Sequence, residues 1–293
     1  MNIQPQGVKE DTMPVKIISD STCDLSPEII ERFDIEIMPL VVTLGEKDGK
    51  DGVDVTPEDI YEYVKKTGKL SKTSAVNVAE YLEVFRKWRG KGYEIVHVNI
   101  GSGFSSCYQN ACLAAEEAGG VYVVDSANLS SGQGHVVLWA ADLAAQGLPA
   151  KEIAEQCRAM TNRVEASFVV NTIDYLFKGG RCSALAALGA NLLGIKPCIE
   201  VTDGKMLPGK KYRGSINKVI RNYAEDRLND RNDIIQDRIF ITHTKCDPEV
   251  IEQVKSLIKE FQPGIKEIFD TDAGATITTH CGPGTLGVLF IRK

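Results

Sequence analysis

The chain has 293 residues, 43% of them hydrophobic and 25% charged, with 34 Lys and Arg against 40 Asp and Glu for a formal net charge of −6. That length suits two modest domains or one large one, with a core that needs no covalent staples. The acidic balance argues against a surface built to neutralise nucleic-acid phosphates or to hold an anionic membrane.

The eight cysteines form no CxxC pair, and no His sits near Cys107 and Cys112 at metal-ligand spacing, so reduced thiols and no metal site are expected. Residues 1–14 begin MNIQPQGVKEDTM, which is polar and reads as a disordered extension rather than a signal peptide. No run approaches the ~18 apolar residues of a membrane span, so no stable membrane insertion and a cytoplasmic location are expected.

Val15 to Ser19 is a short apolar strand that ends in Asp20-Ser21-Thr22-Cys23-Asp24. Ser26-Pro27-Glu28 has the composition of a helix start: a hydroxyl cap, a proline in the first turn and an early acid. Ile37 to Leu44 reads as a second strand. Thr56-Pro57-Glu58-Asp59 repeats the start signal and opens a helix through Lys66, and Asn77 to Glu80 opens another that ends near Gly90. Glu94 to Ile100 is a clear strand running into Gly101-Ser102-Gly103-Phe104-Ser105-Ser106, with a helix from about Cys107 to Glu117. Val121 to Val124 is a strand ending at Asp125-Ser126. Gln133 to Gln146 is an apolar and therefore buried helix, and Ala150 to Arg163 a polar-faced one. This alternation predicts a parallel sheet covered on both faces.

The second half reads differently. Ser167 to Asn171 is a strand, Asp174 to Phe177 a short helix stopping at Lys178-Gly179-Gly180-Arg181, and Ser183 to Leu193 a small-residue helix. Thr202-Asp203-Gly204-Lys205 is a hairpin signal between two strands. A helix over Gly214–Leu228, a strand over Arg238–His243, a helix over Pro248–Glu260 and a last strand over Leu286–Ile291 follow. A hairpin among βα units implies a mixed sheet. The expected architecture is therefore α/β in two domains, with a parallel-sheet N-terminal domain over 15–165 and a mixed-sheet C-terminal domain over 166–293.

Four segments cluster small polar residues after strands, where open α/β sheets hold ligands: Asp20–Asp24, Ser71–Ser74, Gly101–Ser106 and Asp125-Ser126. Gly101–Ser106 joins a strand to a helix start, which offers free N–H groups, and hydroxyls there can donate to an anion. It serves either as an anion cradle or as a plain turn whose serines cap the helix. It is no dinucleotide fingerprint, because Ser106 takes the third glycine's place, and it has no Gly-Lys-Ser/Thr for a phosphate loop. Ser71-Lys72-Thr73-Ser74 is a second hydroxyl donor pair or a solvated turn. His280 lies among Thr278-Thr279-His280-Cys281-Gly282-Pro283-Gly284, where glycines suggest close backbone approach. Lys178 and Arg181 flank a helix C-terminus and fit either a cap or an anion- or partner-facing loop. Lys210-Lys211-Tyr212-Arg213 is a small basic run with a solvated face as its default reading.

In this order and spacing, several segments resemble the DegV family, the bacterial fatty-acid-binding subunits of fatty acid kinase. They are Asp20-Ser21-Thr22, Lys72-Thr73-Ser74, Phe104-Ser105-Ser106-Cys107-Tyr108, Val123-Val124-Asp125-Ser126, Asp174 to Arg181, Leu193-Gly194-Ile195-Lys196-Pro197 and His280 to Thr285. The resemblance runs from about Val15 to the C-terminus. It implies two α/β domains with a long-chain fatty acid between or beneath them and no cofactor. It also implies that Thr73 and Ser105 bind the carboxylate, with Ser74, Ser102 and Ser106 in the same loops and His280 near the head group. Lys178, Arg181 and Arg213 become head-group or partner contacts. The implied partner is a separate fatty acid kinase catalytic subunit, which phosphorylates the presented carboxylate to an acyl phosphate for phospholipid synthesis. The sequence departs from the family where Ala75-Val76-Asn77 follow Thr-Ser and where Ser105-Ser106-Cys107 replaces the usual Ser-Gly-Thr. The competing expectation is a small-molecule hydrolase or transferase using Ser105 and His280, which requires an acid to orient the imidazole.

Overall fold

The computed structural model describes residues 13–182, 184 and 194–293. In chain order the first half contains β1 (Val15–Asp20), α1 (Pro27–Arg32), β2 (Glu36–Met38), β3 (Val41–Leu44), β4 (Lys47–Lys50), α2 (Pro57–Thr67), β5 (Lys72–Ser74), α3 (Val78–Arg89), β6 (Glu94–Asn99), α4 (Cys107–Ala118), β7 (Val121–Asp125), α5 (Ser131–Ala145) and α6 (Ala150–Met160). The second half contains β8 (Val164–Val169), α7 (Asp174–Lys178), β9 (Ile195–Thr202), β10 (Lys205–Arg213), α8 (Ile216–Leu228), β11 (Arg238–Thr244), α9 (Pro248–Phe261), β12 (Glu267–Asp272), α10 (Ala275–Cys281) and β13 (Thr285–Ile291). No described helix is long and apolar enough to cross a membrane.

The first sheet is parallel, in the order β2-β1-β6-β7. Its central strands are buried on both faces, which is why Ile95, Val96 and Val98 run almost without polar interruption. Helices α3 and α4 pack together on one face, while α5 and α6 pack beside the core of Val96, Val98 and Val124 on the other. The second sheet is mixed, in the order β10-β9-β8-β13-β11-β12, with β11 and β12 the parallel pair. Every residue of β13 is buried. Helix α5 touches both sheets: its core also contains Phe240, Leu289 and Ile291, and His135 lies 3.1 Å from the Leu289 carbonyl oxygen. A helix covered on both sides has no use for a polar stripe, so its apolar composition was a sound sign of burial.

The helix starts read from the sequence are built as expected. Ser26 caps α1, and Thr56 with Asp59 and Asn77 with Glu80 make reciprocal capping boxes at α2 and α3. Four expectations are corrected. Ile37–Leu44 is two strands, because the chain leaves the parallel sheet after Met38, passes Pro39 and enters a small antiparallel sheet, β4-β3-β5. Ser71–Ser74 is not a turn at the edge of the first sheet: Lys72–Ser74 is β5, held by β3 with Thr73 opposite Val42. The strand expected at Ser167–Asn171 begins earlier, at Val164. His280 lies in helix α10, and neither that helix nor β12 had a counterpart in the expectations. Most of the helix expected over Ser183–Leu193 falls outside the described residues.

Candidate functional site

Strand β5 and helix α10 meet edge to face. The Thr73 hydroxyl lies 2.8 Å from His280 Nε2, and Ser71 and Thr279 share a second hydrogen bond of 2.8 Å beside it. His280 Nδ1 is buried with no hydrogen-bond partner among the described residues. Burial, with the Arg181 guanidinium nearby, pushes the imidazole down to about 4, so it is neutral at physiological pH. A neutral ring can donate to an anion from one nitrogen while accepting from a hydroxyl at the other.

The Gly101–Ser106 turn approaches from β6. Ser105 Oγ accepts from the Cys107 N–H at 3.3 Å and donates to Cys107 Sγ at 3.2 Å. Its proton therefore rests on a weak acceptor and is free to turn to a stronger one. Gly103 meets the β9–β10 hairpin so closely that a Cβ would lie 2.3 Å from the Gly204 carbonyl oxygen. That close packing, rather than approach to a phosphate, demands glycine there.

Beneath the turn lies a buried polar network that local reading did not anticipate. Asp20, fully buried, accepts from Tyr81 OH at 2.6 Å, from Asn99 Nδ2 at 3.0 Å and from the Ile100 N–H at 3.0 Å. It fixes the end of β6 immediately before the turn. Tyr81→Phe, which keeps the ring and deletes the hydroxyl, is expected to cost about 1–3 kcal/mol by leaving a carboxylate lone pair unpaired. Urea unfolding that is unchanged in this variant would show that the network does not hold the turn.

Thr73, Ser74, Ser105, Arg181 and His280 line one small cavity, together with apolar Leu40, Ile100, Phe104, Met206 and Ile277. A second, narrow void lies against it, and the two share Leu129, Ile277 and Cys281 as wall residues. The second void is bounded by Ala166, Phe168, Val201 and Leu289 from the mixed-sheet half. The hydroxyls in its wall are turned to protein partners: Ser167 to Tyr223, Thr244 to the Gly282 carbonyl and Thr285 to the Cys281 carbonyl at 3.0 Å. The surface left facing the void is accordingly apolar.

Other expected site residues stand elsewhere. Ser102 and Ser106 are exposed and are not part of the cavity wall; the Ser102 N–H donates to Asp125 at 3.1 Å, and Ser106 begins α4. Lys178 is exposed on α7, and Arg213 is exposed at the end of β10. The run around Arg213 is partly structural, because Lys210 and Tyr212 both bond Asp226, at 2.6 and 2.7 Å. The apolar members of the cavity were not singled out beforehand, since an isolated Leu129 or Ile277 carries no local mark of a ligand.

The arrangement fits one small anionic head group against hydroxyls, a neutral imidazole and a guanidinium, with apolar space behind it. It does not assemble a nucleophilic serine: His280 bonds Thr73 rather than Ser105, and no described carboxylate orients its Nδ1. Among the described residues no group of three or more His, Cys, Asp or Glu is placed to hold a metal ion.

Residues 14–293 match the family model described as "Uncharacterised protein, DegV family". A fatty acid-binding protein of Thermotoga maritima is 32% identical over 283 residues, covering 94% of this chain and 96% of its own. A DegV family protein from Thermus thermophilus whose structure is described by its fatty acid binding superposes with a TM-score of 0.85 at 25% identity, over 96% of this chain and all of that one. A stearic-acid-binding protein from Eubacterium ventriosum superposes at 0.79 with 28% identity, over 95% of this chain and 98% of its own.

Proposed function

The chain belongs to the DegV family, and from that premise we propose that it is a fatty-acid carrier. It buries one long-chain acyl group and presents the carboxylate to a separate kinase for phosphorylation to an acyl phosphate. The observation that carries the reading is the adjacency of two unlike spaces across a common wall of Leu129, Ile277 and Cys281: a cavity whose polar groups are Thr73, Ser74, Ser105, His280 and Arg181, and an apolar void behind it.

The two ends of a fatty acid have opposite needs. Each buried methylene contributes ~0.8 kcal/mol, so a chain of about sixteen carbons supplies roughly 10 kcal/mol before ordering costs. The carboxylate must be paired wherever it leaves water. Thr73 and Ser105 meet it with hydroxyls, and His280 does so without a charge of its own. Arg181, exposed at the cavity wall, is placed for the added negative charge of an acyl phosphate. Lys178 and Arg213, both outside the cavity, are assigned to the partner-facing surface.

Protein purified from a lipid-replete host is expected to release a long-chain fatty acid on solvent extraction, detected by mass spectrometry at about one acyl chain per protein. Finding none defeats the carrier reading. Incubating the loaded protein with a fatty acid kinase and ATP is expected to yield acyl phosphate, trapped with hydroxylamine. A loaded protein that yields none retains the carrier role and loses the kinase partnership.

A further inference from the structure

Helix α10 brings Ile277, His280 and Cys281 to the cavity, yet it has no cap of its own. Its N-cap is Gly274, which has no side chain to turn back on the first N–H groups. The acceptors arrive from the other half of the chain. Asp24 Oδ1 accepts from the Gly274 N–H at 2.9 Å, and Asp51 Oδ1 accepts from the Ala275 N–H at 2.8 Å. The second oxygen of each acid is also held: the Ser130 hydroxyl lies 2.5 Å from Asp24 Oδ2, and the Ser21 hydroxyl donates to Asp51 Oδ2 at 2.8 Å. Both acids are buried, at 5% and 4% exposure. A Cβ on Gly274 would stand 3.2 Å from an oxygen of each, so glycine leaves the room both carboxylates occupy.

The far end of the same helix presents His280 to Thr73 and Thr279 to Ser71. A helix of seven residues is only about 10 Å long and moves as one piece. A shift at Gly274 is therefore delivered to His280 and to the Ile277–Cys281 wall between the two voids. Burial, with Asp51 close by, pushes the Asp24 carboxyl up to about 8, which keeps the pair from carrying two full charges at neutral pH.

We infer that Asp24 and Asp51 are positioning residues: by capping α10 across the molecule they set where His280, Ile277 and Cys281 stand around the ligand. This rests on the carrier reading above. It gives a purpose to the Asp20–Asp24 loop and to Asp51, neither of which lines the head-group cavity.

Three variants test it. Asp51→Ala removes one cap, Asp51→Asn keeps an acceptor for the Ala275 N–H, and Gly274→Ala only presses a methyl against both acids. Stopped-flow release of a fluorescent fatty acid is read together with the ¹H–¹⁵N resonances of the His280 imidazole and the Ala275–Cys281 amides. Asp51→Ala and Gly274→Ala are expected to speed release by about five-fold or more and to move the His280 resonances, while Asp51→Asn stays near wild type. Release within two-fold of wild type in both of the first two variants, or unmoved His280 resonances, overturns the inference. So does an Asp51→Asn variant that behaves like Asp51→Ala. Should Asp51→Ala not fold, Gly274→Ala decides. A wild-type protein that binds no fatty acid defeats the carrier reading instead, and the resonances still report whether the acids position α10.

Discussion

Replacing Thr73 and Ser105 together by alanine is expected to weaken binding of a fluorescent long-chain fatty acid by about 100-fold or more. On the proposed carrier function each hydroxyl would supply a hydrogen bond to a charged group, worth about 1.5–3 kcal/mol, and the carboxylate would lose both while the tail stayed in apolar surroundings. Thr73→Ala also removes the hydroxyl that holds His280 Nε2 at 2.8 Å, so the imidazole loses an anchor as the ligand loses a donor. Ser105→Ala removes an acceptor for the Cys107 N–H, a capping contact worth about 1 kcal/mol, so the fold should persist. Residual binding reflects the tail, which neither substitution touches. A titration in which the double variant keeps wild-type affinity would remove these two residues from the head-group site.

Conformational stability is expected to peak near pH 6.5 and to collapse above pH 9. His135 and His280 are both pushed down to about 4 by burial, so the folded chain holds them neutral. The unfolded chain takes up those protons below about 6.5, and the stability they contribute is lost as pH falls towards 4. Asp24 acts in the opposite sense. Its carboxyl, pushed up to about 8 by burial, keeps its proton when folded and loses it on unfolding above about 4, so stability drains as pH rises towards 8. Two histidines outweigh one acid below 6.5, and Asp24 acts alone among the three from 6.5 to 8. Above 9 the thiols dominate. Burial pushes Cys23, Cys157, Cys198, Cys246 and Cys281 up to about 12 and Cys107 up to about 11, so each ionises only in the unfolded chain. Each contributes a loss of up to about 1.4 kcal/mol per pH unit. Urea denaturation from pH 5 to 10.5 under reducing conditions tests this. A midpoint that is level or rising between pH 9 and 10 is incompatible with buried thiols of this kind. Asp24→Asn should flatten the segment from 6.5 to 8.

Local chemistry made much of the frame legible. Ser26-Pro27, Thr56–Asp59 and Asn77–Glu80 are capping signals that act within a few residues, so they work wherever the rest of the chain goes. The continuous apolar strands and the mostly apolar α5 announce two-sided burial, and the Asp203-Gly204 turn announces the β9–β10 hairpin, with both residues at positive φ. Short elements were not legible. Strand β5 has three residues and owes its existence to pairing with β3. Helix α10 is rich in β-branched Thr and Ile, has a glycine N-cap and would not hold as an isolated turn.

The candidate site divides in the same way. Local chemistry marked the hydroxyl loops, the Lys178–Arg181 cations and His280 only as candidates beside plain structural readings, and it was the family resemblance that singled out Thr73, Ser105 and His280. Ser102 and Ser106 have the same chemistry, and only the path of the turn puts them outside the cavity wall. Composition and spacing over a few residues suffice for the α/β alternation, the helix starts and a set of candidate groups able to meet an anion. Only packing at long range brings Thr73 to His280 across more than 200 positions, sets Leu129 and Ile277 as the common wall of the head-group cavity and the apolar void, and lets Asp24 and Asp51 cap α10. Those outcomes depend on which buried groups find partners when distant segments are packed together, and a partner that far along the chain leaves no mark on its local sequence.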